Sequence, residues 1–151
     1  MNSIKYIGVL ILAAVMTGCA SVPMASLEQD TKAKQFVVKR NKSNIYIYRN
    51  ETFGAAVTLQ VDLDGKPIGK TAANTYLAVE VKPGKHRIVS HGENEESLVL
   101  NAKAGRNHFV WQEIKMGVFS AGSKLHLVDG KTGRAGVNEC KLIDMNNTQK
   151  K

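Results

Sequence analysis

Residues 57–64 limit the fold more than any other stretch of the chain. Val57, Leu59, Val61 and Leu63 alternate with Thr58, Gln60, Asp62 and Asp64. This period of two puts every apolar side chain on one face of a half-buried β-strand. Asp64-Gly65 follows directly, the dipeptide best suited to the two positive φ angles of a two-residue hairpin. A strand that ends in such a turn has to be answered by a second, antiparallel strand.

The same period continues downstream. Thr75, Leu77, Val79 and Val81 alternate with Tyr76, Ala78 and Glu80, and the run ends at Lys82-Pro83-Gly84-Lys85, where Pro and Gly occupy the second and third places of a type II turn. "HRIVS" reads as the returning strand, "SLVLNA" follows the turn "HGEN", and "HFVWQEI" follows "KAGRN". Phe109 and Trp111 lie opposite Val110 and Ile114, as in a central strand covered on both faces. "NIYIYRN" opens the series, "SKLHLVD" extends it, and "DGKTGRAG" reads as loop; residues 137–143 suit either a last strand or a short helix. About seven to nine short strands at hairpin spacing, without a convincing helix, predict an all-β fold: an antiparallel β-sandwich over 44–143. At 151 residues the chain suits one domain.

The N-terminus fixes an address. Lys5 and the amino terminus precede about ten apolar residues, Ile7–Met16, too few for a helix that crosses a bilayer, which needs roughly twenty. A positive start, a short apolar middle and small residues at its end mark an export signal. Met16-Thr17-Gly18-Cys19 resembles the lipobox of bacterial lipoproteins. The resemblance implies cleavage between Gly18 and Cys19, a diacylglyceryl group on the thiol and an acyl chain on the new amine. Residues 1–18 are then a signal peptide. Several acyl chains anchor a protein stably where one does not. Ala20, not aspartate, follows the cysteine, and by resemblance to enterobacterial-type sorting this favours the outer membrane, with the domain facing the periplasm.

Residues 19–43 read as a lipidated tether, since 20–43 hold no sustained strand or helix period. Lys32, Lys34, Lys39, Arg40 and Lys42 lie there within an acid-free stretch. Beside an anchor, such charges either contact anionic head groups, at about 1 kcal/mol each, or merely keep the tether extended. The net charge of +8 suits an anionic partner in general. An exported, tethered domain meets no nucleic acid, and no recognition motif is present. Residues 144–151 read as a frayed polar tail.

Candidate chemistry is sparse. His86, His91, His108 and His126 show no metal-ligand spacing, and "HGENEE" reads as a solvated acidic turn. Asp62-Leu63-Asp64-Gly65 lacks the later oxygens of a calcium loop. Ser120, Ser123 and Lys124 sit in "FSAGSK" without a nucleophile motif, so neither a catalytic residue nor a metal site is assigned. Tyr46 and Tyr48 share a face opposite Ile45, Ile47 and Arg49. They either stack on a sugar or partner, or cover the second face of a sheet. With Cys19 lipidated, Cys140 has no partner in the chain. It is expected to be buried, the alternative being an intermolecular disulfide.

Two resemblances bear on function. "VDLDGKPIGKT…YLAVEVKPGKHRIV" resembles the PEGA-type surface module of bacterial envelope proteins. More closely, "IYIYR", "DG…G", "PGKH", "FVWQE" and "KMGVFSA…L" over residues 40–143 resemble a family of small bacterial lipoproteins known only as a domain of unknown function. The resemblance implies a β-sandwich and an envelope location; no activity, ligand or functional residue comes with it. The leading expectation is a non-catalytic, lipid-anchored structural or binding module. It carries no cofactor beyond its acyl chains and has membrane lipid as partner, with another envelope protein or polymer as the further candidate. The rivals are an envelope hydrolase and a carrier of an apolar ligand between the sheets.

Overall fold

A computed structural model describes residues 21–148. The signal peptide over 1–18, the Gly18–Cys19 cleavage site, the lipid-bearing Cys19 and residues 149–151 of the expected tail lie outside the described residues. The described strands are β1 Ser43–Arg49, β2 Leu59–Leu63, β3 Lys66–Thr71, β4 Thr75–Val81, β5 Gly84–His91, β6 Glu95–Ala102, β7 Arg106–Met116, β8 Ala121–Val128 and β9 Lys141–Leu142. One sheet has the order β8-β7-β1-β4-β9 and the other β3-β2-β5-β6. The expected all-β sandwich is what these residues form. Asp64 and Gly65 turn with φ of 51° and 78°, the pair of positive angles the dipeptide implies.

Two pairings within the larger sheet are parallel, β1 with β7 and β4 with β9. Parallel neighbours need a long crossover, and for β1 and β7 the whole second sheet supplies it. Ile45, Ile47, Val61, Leu77, Ile88 and Val110 fill the space between the sheets with no exposed surface. Each such side chain stabilises by about 1.5–3 kcal/mol relative to exposure. A carrier's internal cavity would have to displace them.

A polar bridge crosses this apolar layer. Thr71 Oγ1 donates to Gln112 Oε1 at 2.5 Å, Gln112 Nε2 donates to Ser90 Oγ at 2.6 Å, and Ser90 Oγ meets Ser123 Oγ at 2.7 Å. Thr71 and Ser90 belong to one sheet, Gln112 and Ser123 to the other. All four are buried, which explains how polar residues are tolerated there. It also gives Ser123 a structural place.

Tyr46 and Tyr48 cover the outer face of the larger sheet; each is 3% exposed. Tyr46 stacks on Phe109 with ring centroids 5.2 Å apart, and Phe36 meets both edge-on. Helix α2, Gly130–Asn138, lies over them. This corrects the reading of "DGKTGRAG" as loop. Asp129 caps the helix by accepting from Lys131 N and Thr132 N, both at 2.9 Å. Gly133 and Gly136 let its backbone rest directly on the Phe109 and Tyr48 rings, where any Cβ would collide. The glycines that suggest a loop are there for close approach.

The expected linker also needs correction. Ser26 forms a capping box with Gln29 and starts α1, Leu27–Ala33. Asp30 Oδ1 accepts from Tyr76 Oη at 2.8 Å and from Leu142 N at 3.0 Å, while Lys34 Nζ donates to Asp30 Oδ2 at 2.8 Å and to the Cys140 carbonyl at 2.5 Å. Packing therefore begins ahead of residue 44: a seven-residue helix escapes a search for long periods, and tertiary contacts stabilise it. The tail, too, starts folded. Asp144 caps α3, Met145–Thr148, and Met145 packs on the core. Cys140 is 1% exposed and donates to the Arg49 carbonyl at 3.5 Å. Burial, reinforced by the Glu139 charge, pushes its pKa up to about 12.

Registers define the two ends of the sandwich. Tyr48 pairs with Tyr76 and Trp111, so β1 ends where β4 begins, and β7 runs on past both to Met116. Loop 50–58 and turns 72–74, 92–94 and 117–120 gather at this end. Asp64-Gly65, Pro83 and residues 103–105 form the other.

Candidate functional site

The five basic residues proposed for membrane contact do not form one surface. Lys32 is exposed on α1. Lys34 is committed to Asp30 and Cys140, and Lys39 bonds Glu80 at 3.0 Å. The Lys42 carbonyl accepts from Gly105 N at 2.7 Å, with Arg40 beside that glycine. Lys39, Arg40 and Lys42 thus lie at the Pro83 end.

The histidines serve separate local bonds. His86 Nδ1 meets Asp64 Oδ2 at 2.6 Å and His86 Nε2 meets the Lys82 carbonyl at 2.7 Å. His91 meets Asp62 at 2.9 Å, His126 meets Glu113 at 2.7 Å, and His108 accepts from Lys103 N at 3.0 Å. Among the described residues no three His, Cys, Asp or Glu side chains are grouped to hold a metal. A cleft of about 810 Å³ runs beside β2 and β3. Among the described residues its lining includes Lys66 and Lys70 but no carboxylate, histidine or cysteine.

The end to which β7 extends carries a different feature. At the β7–β8 hairpin Met116 is 75% exposed, Val118 84% and Phe119 95%, and Phe53 of loop 50–58 stands beside them at 52%. Together with Val57 and Ile114 they line a cleft of about 290 Å³. Ile114 and Ala121 of its lining are buried and pack with Leu59 beneath. Turns are ordinarily polar, so three large apolar side chains at one tip are unusual.

Two charged side chains hold this surface in shape. Glu93, from the β5–β6 turn of the other sheet, accepts from Val118 N at 2.7 Å, Phe119 N at 2.8 Å and Ser120 N at 2.6 Å. Those three N–H groups, that of Ser120 foremost, hold the Glu93 carboxyl below its ordinary pKa. Arg49 is fully buried, and its guanidinium donates to the carbonyls of Val57 at 2.8 Å and Gly54 at 2.6 Å, pinning the loop that carries Phe53. Sequence reasoning passed over Phe53, Met116, Val118 and Phe119, and read Glu93 only as part of a solvated acidic turn. The available signal was "KMGVFSA" itself, with apolar residues where a hairpin tip should be polar.

A family model described as "Protein of unknown function (DUF2846)" matches residues 39–123, a span that includes Arg49, Glu93 and the hairpin tip. An uncharacterized protein of Haemophilus influenzae is 33% identical over 133 residues, covering 87% of this chain and 79% of that protein. No solved structure matches significantly. From "IYIYR" through "KMGVFSA" the matched span takes in β1 to β7 and the tip, and the chain belongs to the DUF2846 family of proteins of unknown function.

Proposed function

We propose that the protein is a lipid-anchored module of the bacterial envelope, seated in the outer membrane and facing the periplasm, that works by contact and not by catalysis. Its contact surface is the pair of loops bearing Phe53, Met116, Val118 and Phe119. One observation carries this reading: Glu93 clamps three consecutive amides, so Phe119 is held outward by design of the fold and does not collapse onto its own cleft. Pre-organisation of this kind is what a binding surface gains from and a mere linker does not need. The lipobox at Met16–Cys19 supports the anchor, and the PEGA-type resemblance supports the envelope. The acyl chains on Cys19 are the only covalent additions the reading requires.

Two experiments test it. Cys19→Ala should abolish palmitate labelling and leave unprocessed precursor; surviving label would remove the anchor. A photo-crosslinking amino acid at Phe119 should give adducts in living cells that the same group at exposed Leu127 does not. Equal, diffuse labelling from both sites would remove the contact surface.

A further inference from the structure

We infer that the Phe119 hairpin enters the interfacial layer of the phospholipid bilayer to which Cys19 is tied, an inference that rests on the anchor reading above. The first support is position. Ser21 and Val22 line a cleft of about 430 Å³ together with Ala72, Ala73, Asn74 and Thr75. That turn belongs to the end of the sandwich toward which β7 extends, as the pairing of Arg49 with Thr75 and Tyr48 with Trp111 requires. Cys19 is two residues before Ser21 in the sequence. From Trp111 to Met116, β7 advances about 16 Å along its own axis, so the hairpin projects from the end at which Ser21 and Val22 meet the 72–75 turn; the same two residues also line the 810 Å³ cleft along β2 and β3.

The second support is chemistry. Val118 and Phe119 are almost entirely exposed; Lys115, the one basic residue in the described lining of their cleft, is paired with Glu113 at 2.6 Å, while Lys39, Arg40 and Lys42 lie at the far end. Backbone amides that leave water must be satisfied within the protein, and Glu93 satisfies those of Val118, Phe119 and Ser120. Few side chains suffice, because the anchor makes insertion an intramolecular step at high effective concentration. The occupant of the 290 Å³ cleft and its rim is therefore the acyl and glycerol region of the lipid, and the sandwich stands on the membrane with its Pro83 end outward.

The test uses the full lipoprotein, purified and reconstituted in vesicles of phosphatidylethanolamine and phosphatidylglycerol. Val118→Cys and Lys42→Cys carry a nitroxide; buried Cys140 stays unlabelled, which unsubstituted protein verifies. On reconstitution the Val118 probe should lose collisions with a water-soluble nickel chelate several-fold and gain collisions with oxygen, while the Lys42 probe should not change. Protein that floats with the vesicles while its Val118 probe remains as water-accessible as the Lys42 probe overturns the insertion and leaves the anchor intact. Protein that does not float overturns the anchor reading and this inference with it. A Val118 probe shielded only after other envelope proteins are added also overturns it, and assigns the tip to a protein partner.

Discussion

His86 joins the Asp64-Gly65 turn, 22 residues before it, to the Lys82-Pro83 turn: its Nδ1 meets Asp64 Oδ2 at 2.6 Å while its Nε2 meets the Lys82 carbonyl at 2.7 Å. Both neighbours are acceptors, so only the imidazolium, with two N–H groups, satisfies both bonds. The "DG" and "PGKH" signatures are thereby two halves of one clip. Burial opposes the charge on His86, but the Asp64 bond and the Lys82 carbonyl outweigh it and raise the pKa; burial likewise opposes the Asp64 charge, and the bonds from His86 and Arg87 N outweigh it and lower the pKa.

The clip should therefore have a pH window. Its contribution should be complete between the ordinary carboxylate pKa of about 4 and the ordinary histidine pKa of about 6.5. It should fade as pH rises through the raised value of His86 and as pH falls through the depressed value of Asp64. Urea unfolding of the unsubstituted protein and His86→Ala across this range should show the largest difference in the window. With Asp64 48% exposed, that difference should stay below about 1 kcal/mol. A difference that grows on the alkaline side would contradict the assignment.

Gly133→Ala sets two effects against each other. Alanine gains about 1 kcal/mol in helix propensity, but its Cβ would collide with the Phe109 ring, and overpacking costs about 1–3 kcal/mol. The collision should win, lowering the denaturation midpoint. Gly130→Ala, where a Cβ meets nothing, should not lower it.

Asp30→Ala should release the N-terminal segment. It removes the carboxylate shared by Tyr76 Oη, Leu142 N and Lys34 Nζ, leaving Lys34 only the Cys140 carbonyl and Tyr76 only the residue-30 carbonyl at 3.4 Å, a loss of about 1–3 kcal/mol. Proteolysis should then cut within 27–36 before the rest of the domain. Burial opposes the Asp30 charge, but the bonds from Lys34, Tyr76 and Leu142 outweigh it and lower the pKa. This stabilisation should be present above the ordinary carboxylate pKa and lost as pH falls through the lower folded value.

Glu93→Ala should act locally. The denaturation midpoint should scarcely move, while amide exchange at Val118, Phe119 and Ser120 accelerates on the order of tenfold, since each amide loses a charge-assisted bond. Unchanged exchange at the tip would mean that the clamp does not hold it.

Gln112→Leu should cost roughly 1–3 kcal/mol although it puts an apolar side chain into an apolar layer. The variant takes the Gln112 partner from buried Thr71 and Ser90, leaving Thr71 a bond of 3.4 Å to the Leu59 carbonyl and Ser90 its bond to Ser123. Adding Thr71→Val and Ser90→Ala should restore part of the loss, as measured by urea midpoints.

The strands were legible in the sequence because period-two burial is a local property: one face of Val57–Leu63 must leave water whatever lies opposite. Asp64-Gly65 was legible for the same reason, since positive φ is a demand on two residues alone. The helices were not. α1 is short and depends on Asp30 meeting Tyr76 and Leu142, and α2 looks like a loop until Phe109 and Tyr48 show why its glycines are needed. The address at Cys19 is an expectation from sequence alone, for it lies outside the described residues.

Which residues meet was decided by the tertiary structure. The sequence shows Glu93 as one acid in an acidic turn and "GVF" as a strand connection. Only the packing of the two sheets brings that carboxylate to three amides and turns an apolar tip into a fixed, outward surface. Arg49 reads as the polar end of a strand, but it is buried, because the carbonyls of loop 50–58 fold back over its guanidinium. Alternation along a chain specifies faces; contacts between elements far apart in sequence depend on how those faces are stacked, and the clamped apolar tip of this protein is held by such contacts.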